Sequence, residues 1–173
     1  MITLTPTPVL ETDRLTLRAP QLSDWQAVRA FGLSERSMFI GGPFSEAQIW
    51  TSLLASAGHW AMRGYGMWTI EDKQSGAAIG RTGIINHFDW PEPELGWQIF
   101  EGAEGRGLAY EAAMAARSHA ATGFGLSRVI SQIHPDNTRS RRLAERMGAV
   151  VEREGEVRGT PCLIYRHPAE VTA

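Results

Sequence analysis

The sequence has little cysteine, no long apolar run and almost no net charge. Cys162 is the single cysteine among 173 residues, which excludes an intramolecular disulfide and a cysteine-based zinc cluster. No segment approaches the roughly 18 uncharged apolar residues of a membrane-spanning helix. The first residues also lack the basic stretch and apolar stretch of a secretory signal. We therefore expect a cytoplasmic protein with no membrane and no metal in its function.

The charge and composition narrow the class of protein further. A formal net charge of -2 offers no strong field for nucleic acid. The hydrophobic content of 43% and the charged content of 21% are those of an ordinary globular protein. A chain of this length can bury a sizeable core in one domain, which we expect to span residues 1–173.

The order of apolar patterns predicts a mixed α/β sheet of six to seven strands with helices on both faces. A strand at 14–19 precedes two helices, for which the pairs Ser23/Gln26 and Ser45/Gln48 form capping boxes. A hairpin of strands at 66–71 and 77–85 follows. Then come strand 94–100, a helix, strand 128–134, a helix and two final strands. The strands at 94–100 and 128–134 should be parallel neighbours, because strand-helix-strand units are right-handed crossovers.

A glycine-rich stretch separates strand 94–100 from an alanine-rich helix. The backbone N–H groups at a helix start have no partners of their own and favour an anion. In the sequence E104-G-R-G-L-A109, Gly105, Gly107 and Ala109 leave room for a phosphate to approach the backbone, and Arg106 can add a cation. A plain flexible loop is the alternative, because a lone glycine pattern is weak evidence.

Two well-known phosphate loops do not fit this stretch. No G-K-[ST] follows, so a P-loop is excluded. A dinucleotide fingerprint needs a third glycine where Tyr110 stands, and an acidic residue at a strand end where Ile130 lies in mid-strand.

Four segments in order resemble the GNAT acyl-CoA N-acyltransferases, and in particular their ribosomal-protein N-acetyltransferase-like branch. Glu104 to Ala109 resembles the motif [QR]-x-x-G-x-[GA], except at its first position. Residues 136–149 resemble N-x-x-S-x-x-L-x-x-x-x-G. The stretches E11-T-D-R-L-T-L-R18 and E94-L-G-W97 resemble the branch's first strand and the start of its cofactor strand. The resemblance covers about residues 10–167.

The resemblance implies an N-acetyltransferase that moves an acetyl group from acetyl-CoA to a primary amine by direct attack. It places the pantetheine arm between strands 94–100 and 128–134, and the phosphates on the glycine loop. The implied cofactor-binding residues are Gln98, Ile99, Phe100, Gly105, Arg106, Gly107, Leu108, Ala109, Asn137 and Ser140. Because Glu104 is a carboxylate near the expected pyrophosphate, its place in the loop is locally unfavourable.

Catalysis of this kind needs a base for the amine and an acid or hydrogen bond for the leaving thiolate. Glu94 is the candidate base, with His87, Asp89 and Glu92 as competitors. The alternative for Glu94 is a solvent-exposed carboxylate at the start of the strand, without a catalytic role. The resemblance places Ser140 beside the sulfur. Asn137 is also an expected N-cap. Tyr110 or Tyr165 could be the proton donor instead, and an arginine of the helix at 138–147 could reach the 3′-phosphate: Arg139, Arg141, Arg142 or Arg146.

The acceptor is a small-molecule or peptide amine. Asp89, Glu92 and Glu94 crowd the expected mouth of the crevice and suit a cationic amine, such as a peptide N-terminus, a polyamine or an aminoglycoside. The same carboxylates could equally form a solvated hairpin rim, and Trp90 lies among them. A catalytically silent acyl-CoA-binding module is the alternative function, and a homodimer is an open alternative to a monomer.

Overall fold

A computed structural model describes residues 6–169, and all of its strands belong to one mixed sheet in the order β1-β2-β3-β4-β5-β6-β8-β7. The strands are β1 (Leu10–Glu11), β2 (Leu15–Arg18), β3 (Met67–Asp72), β4 (Ala78–Ile85), β5 (Glu94–Ile99), β6 (Ile130–Ile133), β7 (Val150–Val157) and β8 (Thr160–Arg166). The predicted α/β sheet is confirmed. The described part of the chain has eight strands rather than six or seven, because the short β1 adds to the edge at β2.

Four α-helices connect these strands: α1 (Trp25–Leu33), α2 (Glu46–Arg63), α3 (Leu108–Gly123) and α4 (Thr138–Arg146). Short 3-10 helices at Leu22–Asp24 and Glu35–Ile40 flank α1. The capping box of α2 is confirmed, since Gln48 N–H donates to Ser45 Oγ and Ser45 N–H donates to Gln48 Oε1. The box predicted at Ser23 is wrong, because α1 begins one residue later with Asp24 as its N-cap.

The helices cover the two faces of the sheet with separate apolar clusters. Four alanines of α3 are fully buried, which lets this helix pack closely on one face: Ala112, Ala113, Ala116 and Ala120. On the other face, Val28 and Phe31 of α1 meet Ile49 and Leu53 of α2 and Phe100 at the end of β5. The sheet is thus held between α3 and the α1–α2 pair.

Strands β5 and β6 are parallel neighbours, as predicted, but their pairing is brief. The register joins Glu94 to Ile130 and does not continue beyond that pair in the described residues. From there the strands diverge, and β6 continues its pairing with β8 on its other side. The result is a gap that opens at Glu94 and widens toward the carboxyl end of β5.

In the described range, no helix is long and apolar enough to cross a membrane. The cytoplasmic setting and the one-domain organisation stay predictions.

Candidate active site

The gap between β5 and β6 is part of a cleft of about 910 Å³. It is bounded by α1 and α2 on one side and by α4 and the β7–β8 hairpin on the other. Of the predicted catalytic and cofactor-binding residues, the cleft lining includes Glu94, Gln98, Asn137 and Ser140. His87 and Trp90 also line it.

Glu94 lies at the point where the two strands separate, and it is 7% exposed. Its Oε1 accepts a hydrogen bond from Gln132 N–H at 2.8 Å, and its Oε2 accepts from Trp90 Nε1 at 2.5 Å and Gln132 Nε2 at 3.1 Å. Burial raises the pKa of Glu94, and these hydrogen bonds oppose the shift in part. The alternative of a solvent-exposed carboxylate at this position is therefore wrong.

Three buried polar residues, which the sequence did not reveal, form a hydrogen-bonded network beside Glu94: Arg117, His167 and Ser131. The network ends on the backbone of Leu95, the residue after Glu94. Ser131 Oγ donates to Leu95 O at 2.7 Å and lies 2.9 Å from His167 Nε2. Because Ser131 uses its single proton on Leu95, His167 must donate from Nε2 and accept at Nδ1 from Arg117, 3.2 Å away. Burial lowers the pKa of His167 to about 4, which keeps the ring neutral.

The edge of β5 that faces the gap is defined by the alternation of the ladder. Phe100 N–H donates to Ile79 O of β4 at 2.9 Å. Since an antiparallel ladder alternates, Gln98 and Phe100 turn their backbone groups to β4, while Trp97 and Ile99 turn theirs to the gap. Of the three residues predicted to pair with pantetheine, only Ile99 has its backbone in a suitable place, and Trp97 was missed.

The side chains of the other two residues lie elsewhere. Phe100 packs against Phe31 in the core, with ring centroids 5.4 Å apart. Gln98 points its side chain into the cleft on the α2 side, where its Oε1 accepts from Arg81. Trp97 could have been predicted from Ile99, because residues two apart in a strand turn their backbone groups to the same edge.

The glycine loop presents a row of free backbone donors. Gly105 and Gly107 both have φ of 75°, a conformation that favours glycine. The first internal bond of α3 runs from Glu111 N–H to Gly107 O. Within residues 6–169, no acceptor pairs with the N–H groups of residues 105–109. These groups, at the positive end of the 16-residue helix α3, are suited to a diphosphate.

Side chains brace the loop from β2 and β3. Arg14 donates to Arg106 O at 2.8 Å and pairs with Glu111 on α3. The Arg106 guanidinium lies 3.3 Å from Asp72 Oδ2. Arg106, which we expect to add a cation to the phosphate site, thus has Asp72 at the end of β3 as a neighbour.

Glu104 is ion-paired rather than free, which explains how a carboxylate is tolerated in the loop. Its side chain pairs with Arg36 and lies 3.9 Å from Arg139 at the start of α4. It also accepts a hydrogen bond from Gly102 N–H at 3.0 Å. Arg36, which the sequence gave no reason to select, in turn donates to Ile99 O at 3.2 Å.

The start of α4 lies across the gap from β5. Asn137 is the N-cap, as predicted, and its Oδ1 accepts from Ser140 N–H at 3.2 Å. Ser140 Oγ accepts from Trp97 Nε1 at 3.2 Å. The hydroxyl proton of Ser140 thus remains free to donate into the cleft, and Asn137 keeps its amide N–H groups for a ligand.

The two tyrosines considered as proton donors contact residues of α4, and neither lines the cleft. Tyr165 donates to Glu145 at 3.0 Å and accepts from Arg141 at 3.1 Å. The guanidinium of Arg146 lies over the Tyr110 ring, 4.2 Å from its centroid. Arg141 and Arg146 are thus engaged by the tyrosines. Arg139 and Arg142, the other two arginines considered for the 3′-phosphate, are exposed.

The acidic mouth predicted for the cleft is neutralised. Asp89 pairs with Arg158 at 3.0 Å, and this hydrogen bond lowers the pKa of Asp89. Glu92 pairs with Arg166 at 2.6 Å and with Arg153 at 3.1 Å. The idea that these carboxylates attract a cationic amine is therefore corrected, because each already faces an arginine.

His87 lines the cleft but does not face Glu94 directly. Its ring lies edge-on to Trp90 at 4.7 Å between centroids. Burial lowers the pKa of His87, and the nearby Arg158 acts in the same direction. The ring is therefore neutral at neutral pH.

Comparison with known proteins agrees with this geometry. Residues 14–150 match the acetyltransferase (GNAT) domain family. An uncharacterised N-acetyltransferase of Bacillus subtilis, YnaD, is 27% identical over 148 residues, which cover 84% of each chain. The solved structure of an acetyltransferase from Agrobacterium tumefaciens is 36% identical, with a TM-score of 0.88 and coverage of 94% and 95% of the two chains.

A protein of Vibrio cholerae assigned as a ribosomal-protein-serine acetyltransferase has the same fold. It is 20% identical, with a TM-score of 0.76 and coverage of 94% and 98%. The chain belongs to the GNAT acetyltransferase family. It is an acetyl-CoA-dependent acetyltransferase, as the sequence motifs predicted.

Proposed function

We propose that this enzyme transfers an acetyl group to the primary amine of a peptide N-terminus or a small molecule, with Glu94 as general base. The observation that carries the proposal is the position of Glu94. It is a buried carboxylate of raised pKa at the closed end of the gap, and the free N–H groups of residues 105–109 belong to the loop that follows the carboxyl end of β5, toward which the gap widens.

The residues present fit acetyl-CoA on the donor side. The free N–H groups of residues 105–109 would hold the diphosphate, and the backbone groups of Trp97 and Ile99 would pair with the pantetheine amides. Asn137 and Ser140 would border the arm from α4. Bound acetyl-CoA supplies the thioester, whose carbon–sulfur bond breaks as the carbon–nitrogen bond forms.

Two side chains then move the protons. Glu94 accepts one proton from the incoming ammonium, directly or through water, so that the nitrogen can attack with its lone pair. The second proton that nitrogen loses as the amide forms passes to the departing thiolate, which leaves as the thiol. Trp90 and Gln132 keep the carboxylate oriented through their three hydrogen bonds. Ser140 donates its free hydroxyl proton in a hydrogen bond to the departing thiolate, and Trp97 holds that hydroxyl in place.

Replacement of the base tests the proposal. Glu94→Gln removes the proton acceptor, and we expect kcat to fall about 100-fold or more, since general base catalysis contributes factors of that order. The dissociation constant for acetyl-CoA, measured by calorimetry, should stay within about threefold of the wild-type value. Glu92→Gln is the matched control, because it removes a nearby carboxylate that is paired with Arg166 and does not line the cleft.

The pH profile gives an independent readout of the same group. A general base works in its deprotonated form, so kcat should rise with pH through the ionisation of Glu94. Because the pKa of Glu94 is raised above 4.5, the rise should lie above the range of an ordinary glutamate. In Glu94→Gln, the residual kcat should no longer rise with pH over this range.

A catalytically silent acyl-CoA-binding module is the competing function. Such a module would bind acetyl-CoA but release no thiol with any amine tested. Thiol release by the wild-type protein over a panel of amines therefore separates the two. Unchanged kcat in Glu94→Gln would leave the enzyme but remove Glu94 from its mechanism.

A further inference from the structure

Arg81 is a buried cation on the floor of the cleft, and the chemistry described above does not use it. It lies on β4 directly opposite Gln98 of β5, and it is 7% exposed. Burial lowers its pKa to about 10, so the guanidinium stays charged at neutral pH. A buried charge is costly unless it is paired.

No carboxylate in the described part of the chain lies within 4.0 Å of Arg81. Arg18, also poorly exposed, shows the contrast, because it pairs with both Asp24 and Glu71. Asp24 is the one acid with an electrostatic effect on Arg81, yet its oxygens already accept from Arg18, Gln21 and Thr69. Arg81 thus has no carboxylate in contact with it in the described residues, and the acid that acts on it from a longer distance is already paired with Arg18.

The hydrogen bonds of Arg81 leave part of its guanidinium available. Its Nε and Nη2 donate to Gln98 Oε1 at 3.1 Å and 2.9 Å, and its Nη1 donates to Ser56 Oγ at 3.2 Å. A guanidinium has five N–H groups, so one on each terminal nitrogen has no acceptor among residues 6–169. This is the fork that recognises an oxyanion in a bidentate manner.

The surroundings of Arg81 form a polar pocket on the α2 side of the cleft. Gln48, Ser52 and Ser56 are spaced by four residues along α2 and therefore share one face of the helix. Gln48 and Ser52 line the cleft with Arg81 and Gln98, and Ser56 binds Arg81 directly. Between this pocket and Glu94, the cleft floor is formed by Gly96, which leaves room for an extended ligand.

We propose that Arg81 binds a carboxylate of the acceptor, so that the enzyme selects amines that carry this group at a distance. This inference rests on the proposed function and names the acceptor class. Glu94 and Gln98 are four residues apart along β5, about 13 Å at the usual strand rise. A free α-amino acid is too short to reach both sites. The acceptor is an extended peptide with a carboxylate about three residues from its N-terminal amine.

The wild-type enzyme tests the proposal without any substitution. The acceptors are a neutral tripeptide with a free C-terminal carboxylate, the same tripeptide as its C-terminal amide, and a longer peptide amide with glutamate as its third residue. A charge-assisted hydrogen-bond pair predicts that kcat/KM is at least about tenfold higher for the free tripeptide than for its amide. Preference for the glutamate peptide instead would assign the carboxylate to a side chain of a longer substrate.

Substitution of Arg81 identifies the residue responsible. In Arg81→Met the preference for the carboxylate should disappear, while the dissociation constant for acetyl-CoA should not change. Arg81→Lys should keep part of the preference, because it retains the charge without the fork. A purely structural role would lower kcat/KM equally for the tripeptide and its amide, and that result would overturn the proposal.

The proposal and the proposed function fail in different ways. Equal kcat/KM for the free and amidated tripeptides in the wild-type enzyme would overturn the role of Arg81 and leave amine acetylation intact. Acetylation of other amines but of no peptide in the series would do the same. Absence of thiol release with every amine would overturn the proposed function itself.

Discussion

The two halves of the cleft are built from different parts of the chain. The donor half, which consists of the glycine loop, the gap-facing edge of β5 and the start of α4, presents mainly backbone groups. The acceptor half, which consists of the α2 face, the rim at residues 87–94 and the β7–β8 hairpin, presents side chains. Backbone groups need only a permissive local conformation, whereas side-chain charges depend on what the fold brings beside them.

This difference decides where charge is available. On the donor side, glycine conformations at residues 105 and 107 and the first turn of α3 leave donors free. On the acceptor side, Asp89 and Glu92 are cancelled by arginines of the β7–β8 hairpin, more than 60 residues away along the chain. Within residues 6–169, Arg81, on a strand in the middle of the sheet, is a buried cation on this side that no carboxylate contacts.

The largest effect that we expect is the pH dependence of the unfolding free energy caused by His167, in the buried network with Arg117 and Ser131. The pKa of His167 is about 4 in the folded protein, below its ordinary value of 6.5. The unfolded chain therefore binds a proton first as the pH falls, and the stability that this group contributes above about pH 6.5 is lost as the pH falls toward about 4. A difference of this size corresponds to a loss on the order of 3 kcal/mol.

Urea unfolding of the wild type and His167→Gln at about pH 7 and about pH 4.5 measures this effect. The wild type should lose more of its unfolding free energy between the two conditions than the variant. Glu94 and the paired carboxylates titrate in both proteins and cancel in the difference. Equal losses would show that the buried network of Arg117, His167 and Ser131 does not depend on a neutral ring.

The second prediction concerns the free N–H groups of the glycine loop. Gly105→Val places a branched side chain at φ of 75° beside the expected phosphates. Loss of one or two charge-assisted hydrogen bonds predicts a dissociation constant for acetyl-CoA about 100-fold higher. Isothermal titration calorimetry measures it.

Gly125→Val is the matched control for backbone strain. Gly125 has φ of 68° and, like Gly105, no atom within 4 Å of a Cβ added there. It lies in the turn after the C-terminal end of α3, whereas Gly105 precedes the N-terminal end of that helix. Both variants should lose similar stability, and only Gly105→Val should lose acetyl-CoA. Equal affinities in the two variants would mean that the loop is merely a turn.

The smallest effect is expected at Glu104. Glu104→Gln removes a negative charge near the phosphates and releases Arg36 and Arg139, so acetyl-CoA should bind about two- to fivefold more tightly at low salt. The gain should shrink as the salt concentration rises. Glu101→Gln is the control, since Glu101 is exposed and forms no ion pair in the described residues. Weaker binding in Glu104→Gln would mean that the ion pairs of Glu104 with Arg36 and Arg139 are what order the loop.

Features set by local sequence were predictable. The capping box at Ser45, the N-cap at Asn137, the β3–β4 hairpin and the glycine loop each depend on residues within a short segment. The parallel pair of β5 and β6 followed from the handedness of crossovers. The family and its cofactor were predictable because four such segments occur in order.

Features set by contacts distant in sequence were not predictable. Arg36 reaches Glu104 and Ile99 from a different part of the chain, and Arg117, Ser131 and His167 meet only in the folded core. The contact of Arg106 with Asp72 joins residues that lie 34 positions apart along the chain. In each case the outcome depends on which side chains the sheet order brings together.

A crystal structure of the protein with coenzyme A bound tests the proposed cofactor site most directly. We predict that the diphosphate oxygens accept hydrogen bonds from the N–H groups of residues 105–109, with the sulfur in the gap between Glu94 and Ser140. Phosphates bound elsewhere, or a pantetheine arm outside the gap between β5 and β6, would contradict it.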